Sequence, residues 1–176
     1  TGEWHQEERL ERELGQYREE EATCNGCAGY PKYDQVTGLL SFNRFREEVD
    51  SVIASGKGKS CLLVYTDLEN FKYFNRKYGY AAGDQLLREF TGYIIDTLKK
   101  RNTAHFTRVV ADQFILFFEE KWNNGSIEAI KRINNGFIER QQRKYPEAKL
   151  RLRTGVYKVE KDCDGASFAI DAANYA

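Results

Sequence analysis

Two aspartates in this chain stand where a sheet could bring them together. Asp67 closes the apolar run SCLLVYT at 60–66, and Asp112 sits in the short break between 105–110 and 113–118. Those two flanking runs read as strands around a tight turn. If the strand systems are neighbours, the carboxylates converge at one end of a sheet. Paired carboxylates there can hold Mg²⁺, a hard ion that takes oxygen ligands and bridges phosphate groups. Alone, two aspartates so far apart in sequence would be read as surface residues. Directly after Asp67, the segment Glu69-Asn70-Phe71-Lys72 turns from strand towards helix. Free backbone N–H groups at such a turn can cradle phosphate.

Periodicity supplies the elements that must position these groups. Residues 43–54 carry Phe45, Val49, Val52 and Ile53 at helical spacing. The run at 60–66 has the continuous apolar character of a buried central strand. Residues 84–98 place Leu86, Leu87, Phe90, Tyr93, Ile94 and Leu98 on one stripe, with Asp84 as the expected N-cap. Residues 127–137 read as helix, 150–159 alternates as a half-buried strand, and 167–175 begins a last helix. The order predicts an α/β (α+β) domain, one central sheet of about five strands flanked by helices.

Composition bounds the function. A chain of 176 residues with 41% hydrophobic content suits one globular domain with a short appendage. Lys plus Arg number 27, as do Asp plus Glu, so no overall field draws the chain to nucleic acid or to a membrane. Any anionic ligand must be held by a local site. No apolar run is long enough to span a bilayer and no signal-peptide pattern appears. The expectation is a cytoplasmic segment, alone or as the cytoplasmic part of a larger or membrane-tethered protein. The chain starts at Thr1, so neighbouring domains are expected.

Residues 1–33 read as a charged helical segment and linker. Leu10, Leu14 and Tyr17 form a narrow stripe within 1–22, too short for sustained heptads. Gly26, Gly29 and Pro31 mark the linker. Cys24 and Cys27 have the CxxC spacing of half a zinc site or a redox pair, but no second ligand pair completes the one and no strand precedes the other, so a turn is the better reading. Cys61 lies in the apolar run as a buried thiol.

Four ordered segments now acquire a common meaning: Asp34-Gln-Val-Thr-Gly-Leu-Leu40, Asp67-Leu-Glu-Asn-Phe-Lys72, Tyr78-Gly-Tyr-Ala-Ala-Gly-Asp84 and Arg108-Val-Val-Ala-Asp-Gln-Phe114. Over 34–176 the set resembles the GGDEF family, diguanylate cyclases that condense two GTP into cyclic di-GMP. The resemblance implies a nucleotidyl-cyclase-like sheet with a GGDEF-type hairpin. It implies that Asp67, Asp112 and the backbone carbonyl of Leu68 hold Mg²⁺ with GTP. It sets Phe71 and Lys72 at the terminal phosphates, although Phe71 is better read as a core anchor. Asn75 and Asp84 fall at the guanine-reading positions, where an amide and a carboxylate together satisfy O6, N1–H and N2–H₂.

The same comparison exposes departures. The family signature is Arg-x-Gly-Gly-Asp/Glu-Glu-Phe, and here Val110, Ala111 and Gln113 replace both glycines and the catalytic Glu. Val disfavours positive φ and adds bulk where ribose and phosphate should pass. A neutral amide cannot act as a carboxylate base. Glu69, Arg76 and Tyr80 replace the usual Asp, Asp and His. Arg101 keeps the Arg of a product-inhibition motif whose Asp is lost, and a helix-end role suits it better. The family's phosphate-binding Lys would fall just past the last residue.

The expectation is therefore a degenerate, C-terminally truncated GGDEF domain at 34–176 within a bacterial cyclic di-GMP signalling protein. It would lack cyclase activity and act as a regulatory module that binds GTP–Mg²⁺. Its partners would be a neighbouring sensor or phosphodiesterase-type domain, with a homodimer left open. Two alternatives stand beside it: a residual cyclase or nucleotide hydrolase using the retained metal site, and a pure protein-interaction module.

Overall fold

A central strand buried on both faces organises the molecule. The computed structural model describes residues 31–99, 104–121 and 123–176. The elements run α1 (Phe42–Ala54), β1 (Cys61–Glu69), α2 (Phe71–Tyr78), α3 (Tyr80–Leu98), β2 (His105–Val110), β3 (Gln113–Glu119), α4 (Asn124–Lys144), β4 (Arg151–Lys158) and α5 (Ala166–Tyr175). The described strands form one sheet in the order β2-β3-β1-β4, each neighbouring pair antiparallel. The four apolar or alternating runs of the sequence account for all of them, so the expected count of about five is corrected to four among the described residues. The readings made at 1–22, at Cys24 and Cys27 and at Arg101 lie outside the described residues.

Alternation along β1 feeds two cores. Leu62, Val64 and Leu68 meet Phe114, Leu116 and Phe118 of β3 beneath α2, α3 and α4. Cys61, Leu63 and Tyr65 meet Ile115 and Phe117 beneath α1 and α5. Residues Cys61 to Thr66 are consequently all buried, which is why the run reads as uninterrupted apolar sequence. Phe90 ties α3 to the sheet and to α4, its ring 4.9 Å from Phe114 and 5.1 Å from Phe137, centroid to centroid. On the other side β4 and α5 approach backbone to backbone. A Cβ at Gly155 would lie 1.8 Å from the Ala173 carbonyl oxygen.

Two helices start earlier than their apolar stripes suggest. Gly79, at φ 92°, turns the chain straight from α2 into α3, so the helix begins at Tyr80 with no side-chain cap. Asp84 is thus inside α3 rather than its N-cap, which corrects the sequence expectation. A capping box at Asn123 starts α4: its Oδ1 accepts from Gly125 N–H at 2.8 Å, and Ser126 Oγ accepts from Asn123 N–H at 3.2 Å.

The β2–β3 hairpin is clamped from below by the loop that precedes α1. Arg108 Nη1 reaches both Asp34 carboxylate oxygens at 3.3 Å. The Thr37 backbone N–H and hydroxyl donate to Asp34 Oδ2 at 2.9 and 2.7 Å. Arg108 Nε then donates to the Ala111 carbonyl at 2.6 Å, and the Thr107 hydroxyl to Leu40 C=O at 2.8 Å. At the tip it is Ala111, not Val110, that takes the left-handed conformation, with φ 49°. That conformation costs a non-glycine residue roughly 1–2 kcal/mol. Ala111→Gly relieves it and gives back part through chain entropy, for a net gain of about 0.5–1 kcal/mol. Thermal unfolding should show Tm rising by roughly 1–3 °C, whereas Val110→Gly should lower it. A lower Tm for Ala111→Gly would contradict the assignment of strain to residue 111.

Candidate functional site

Register decides what gathers at the lower end of β1. Asp67 is the direct cross-strand partner of Gln113 on β3 and of Arg153 on β4. These three continue the face that Leu63 and Tyr65 share with Ile115 and Tyr157, but at residue 67 the row turns polar. The Leu68 N–H donates to the Asp112 carbonyl at 3.1 Å, stitching the hairpin turn to the strand end. Asp112 thereby reaches Asp67, and when Asp112 carries its proton it donates it to the Asp67 carboxylate. Arg153 Nη2 donates to Asp67 Oδ2 at 3.2 Å from the other side.

Crowding two acids shows in their electrostatics. Burial pushes the Asp112 carboxyl up to about 6, and the hydrogen bond to Asp67 adds to that shift while Arg108 opposes it. Burial likewise raises the Tyr65 hydroxyl, helped by the Asp67 charge. Among the described residues no group of three or more His, Cys, Asp or Glu side chains gathers as a metal cluster. The oxygen donors at this end of the sheet include the two carboxylates and main-chain carbonyls, with Glu69 on the same cleft. Leu68 keeps its side chain in the core, leaving only its carbonyl available.

The strand-to-helix turn is held by a pair of strained residues. Asn70, at φ 68°, is the N-cap of α2, and its Nδ2 donates to the Lys149 carbonyl at 2.6 Å. Lys149 is itself left-handed at φ 51°. No side chain caps the first N–H groups of α2, so they face outward as donors. The turn opens onto a cleft of about 680 Å³ lined by the acidic Asp67, Glu69 and Asp112 and by the basic Lys72, Arg76 and Arg151. Phe71 is 8% exposed and sits in the core, so its backbone is what the cleft sees.

Asn75 and Asp84 do not belong to the walls of that cleft. Asn75 lies instead where α2 packs on α3. A Cβ on Gly83 would fall 1.8 Å from Asn75 Oδ1, so glycine is required for the Asn75 amide to lie against α3 one residue before Asp84. Asn75 Oδ1 is buried there without a hydrogen-bond partner. Buried polar atoms left unpaired are uncommon, and the amide is aimed at the α2–α3 junction that carries Asp84.

At the hairpin, Val110 is 61% exposed and lies outside the cleft lining. Gln113 is half-buried beside Asp67. Sequence reasoning passed over Arg153 and Arg151, since their alternation in LRLRTGVYKV showed a strand but no partner. It also passed over the Asn70–Lys149 contact, for which Asn at a strand-to-helix break was the available signal.

Comparison with known proteins agrees with this architecture. The family described as "Diguanylate cyclase, GGDEF domain" matches residues 31–176. Diguanylate cyclase DgcS of Shewanella oneidensis is 32% identical over 89 residues, 49% of this chain and 29% of that protein. Cyclic di-GMP phosphodiesterase PdeR of Escherichia coli is 28% identical over 130 residues, 74% of this chain and 18% of that protein. The chain therefore spans less than a third of these curated relatives. Among solved structures, the GGDEF domain of DgcB from Caulobacter crescentus, in complex with c-di-GMP, superposes with a TM-score of 0.67 at 18% identity, covering 86% of this chain and 90% of that one. The FimX GGDEF domain from Pseudomonas aeruginosa gives 0.65 at 18% identity, covering 83% and 91%. No helix among the described residues is long and apolar enough to cross a membrane. With a family match over most of its length and the same fold in its structural neighbours, the chain belongs to the GGDEF family.

Proposed function

We propose that this domain is a regulatory module of cyclic di-GMP signalling that binds GTP with Mg²⁺ and does not make cyclic di-GMP. The observation that carries the reading is Gln113, a neutral amide paired across the sheet with Asp67 at the place where the family's catalytic Glu is expected. Forming the phosphodiester requires a 3′-OH to lose its proton, and an amide cannot accept it. The binding parts persist around it: two adjacent carboxylates, an uncapped helix start and three basic side chains on one cleft.

The donor set fits a hard divalent ion, because carboxylates held against each other gain from a shared cation. Asp67, Asp112 and the Leu68 carbonyl would hold it. When bound, Mg²⁺ would offset the charge of the triphosphate. The N–H groups at the start of α2 and the side chain of Lys72 would orient the terminal phosphates. Asn75 and Asp84 would read the base. In the longer protein the domain would work in the cytoplasm beside a sensor or phosphodiesterase-type domain. The carboxylate pair beside a phosphate turn also suits slow nucleotide hydrolysis, which product analysis separates from binding.

Calorimetric titration with GTP should give Mg²⁺-dependent heat, and incubation of the same sample should yield no cyclic di-GMP. Asn75→Ala should weaken GTP at least about tenfold, the scale of one lost buried base contact. Cyclic di-GMP in the product mixture would overturn the regulatory reading, and absence of heat would leave a protein-interaction role.

The Asp112 shift gives a second test. Its folded-state pKa of about 6 lies above the ordinary carboxyl value of 3.8, so the folded state holds the proton more tightly. The group's favourable contribution is complete below about pH 4 and is lost as pH rises through about 6. Without divalent metal, Asp112→Asn should therefore gain Tm relative to the parent protein between pH 4 and pH 7. A difference that stays constant with pH would refute the shift.

A further inference from the structure

The ion pair between Arg153 and Asp67 is a contact at the carboxylate pair that the nucleotide reading does not use. Asp67 is 20% exposed and fixed by the sheet, while Arg153 is 57% exposed on β4, at an edge of the described sheet. The guanidinium thus reaches from solvent onto a carboxylate that cannot move. It takes Oδ2 of Asp67, an oxygen that a metal ion would need.

We propose that Arg153 is the resident counter-cation of the Asp67–Asp112 pair and competes with divalent metal for it. The inference rests on the reading that this pair is a cation site. Two carboxylates in contact repel unless a positive group lies between or beside them. Arg153 supplies that charge at Asp67, while Arg108 acts on Asp112. A dication arriving at Asp67 must displace the guanidinium or tolerate it a few ångströms away, where like charges repel. Displacement disturbs no core packing, because the side chain is mostly in solvent. A released guanidinium has a preferred destination in phosphate, which matches its planar fork. Arg151, two residues along the same strand, already lines the cleft with Lys72 and Arg76. Metal alone is therefore disfavoured at this site, and metal arriving with a triphosphate is favoured, since the phosphate receives the arginine that the metal displaces. Arg153 couples the two ligands and acts as a positioning residue, with no part in bond making.

The test is Mn²⁺ binding to the whole chain without nucleotide, followed by the electron paramagnetic resonance signal of free Mn²⁺ at low ionic strength. Arg153→Ser should bind Mn²⁺ about tenfold tighter than the parent, the order expected for removing a unit charge beside a dication near a surface. Arg153→Lys should stay within about threefold of the parent, and the gain in Arg153→Ser should shrink at high salt. Arg151→Ser, which leaves the ion pair intact, should gain less than Arg153→Ser. Arg153→Gln repeats the test should the serine variant unfold. Equal or weaker Mn²⁺ binding by both neutral variants overturns the proposal, as does an Arg151→Ser gain matching that of Arg153→Ser. Tighter Mn²⁺ binding in proteins that show no heat with GTP supports it while overturning the nucleotide reading, so the two failures are distinguishable.

Discussion

Everything at the site follows from β1 being paired on both sides and covered on both faces. Six consecutive residues from Cys61 to Thr66 are buried, and each large apolar side chain so placed contributes about 1.5–3 kcal/mol by leaving water. That burial fixes the register, because a slip of one residue would exchange the two cores. Fixed register in turn determines what neighbours Asp67. Its carboxylate stands between Gln113 and Arg153 because Leu63 and Tyr65 are committed to the α1–α5 face.

The hairpin inherits its position from the same strand and from the Asp34–Arg108 bracket. Arg108 and Asp34 are both mostly buried, so their contact is screened less than a surface pair. Arg108 holds the Ala111 carbonyl while Leu68 holds the Asp112 carbonyl. Between these two anchors the turn keeps its shape without a glycine, with the strain placed on the small Ala111 side chain and Val110 turned outward. On the proposed reading, Val110 and Ala111 leave the carboxylates where a metal site would have them, and the chemistry that changes is that at Gln113.

Much of this was legible in the chain because burial writes itself into apolar periodicity. The four strands begin within a residue of the runs that announce them, although β1 continues three residues past Thr66 to Glu69, and the convergence of Asp67 with Asp112 followed from supposing those runs adjacent. The misreadings have local causes. Asp84 looked like a cap because the apolar stripe of α3 begins at Leu86, yet Gly79 lets the helix start with no cap at all. Gly83 gave no sign of its role, which arises only when α2 folds back and brings the Asn75 amide against it. Arg153 was invisible for the same reason: alternation shows which face a strand residue occupies, but only pairing shows what lies opposite.

Binding and turnover make separable demands on such a site. Holding a polyphosphate needs fixed positive charge and oriented N–H groups, and these come from the α2 start and from Lys72, Arg76 and Arg151. Moving a proton needs a group of suitable basicity at one atom. The group here whose pKa is raised towards neutrality is Asp112, at about 6; when protonated it is a donor to Asp67, and in a loaded site its oxygens would be ligands to metal. A carboxylate serving as ligand is a poor base, since the cation it binds lowers its proton affinity. The remaining neighbour, Gln113, has no proton-accepting form at all in water. On the proposed reading, the strand register that would keep a place for a nucleotide's phosphates sets Gln113 beside Asp67, an amide that accepts no proton, so recognition would outlast catalysis at this hairpin.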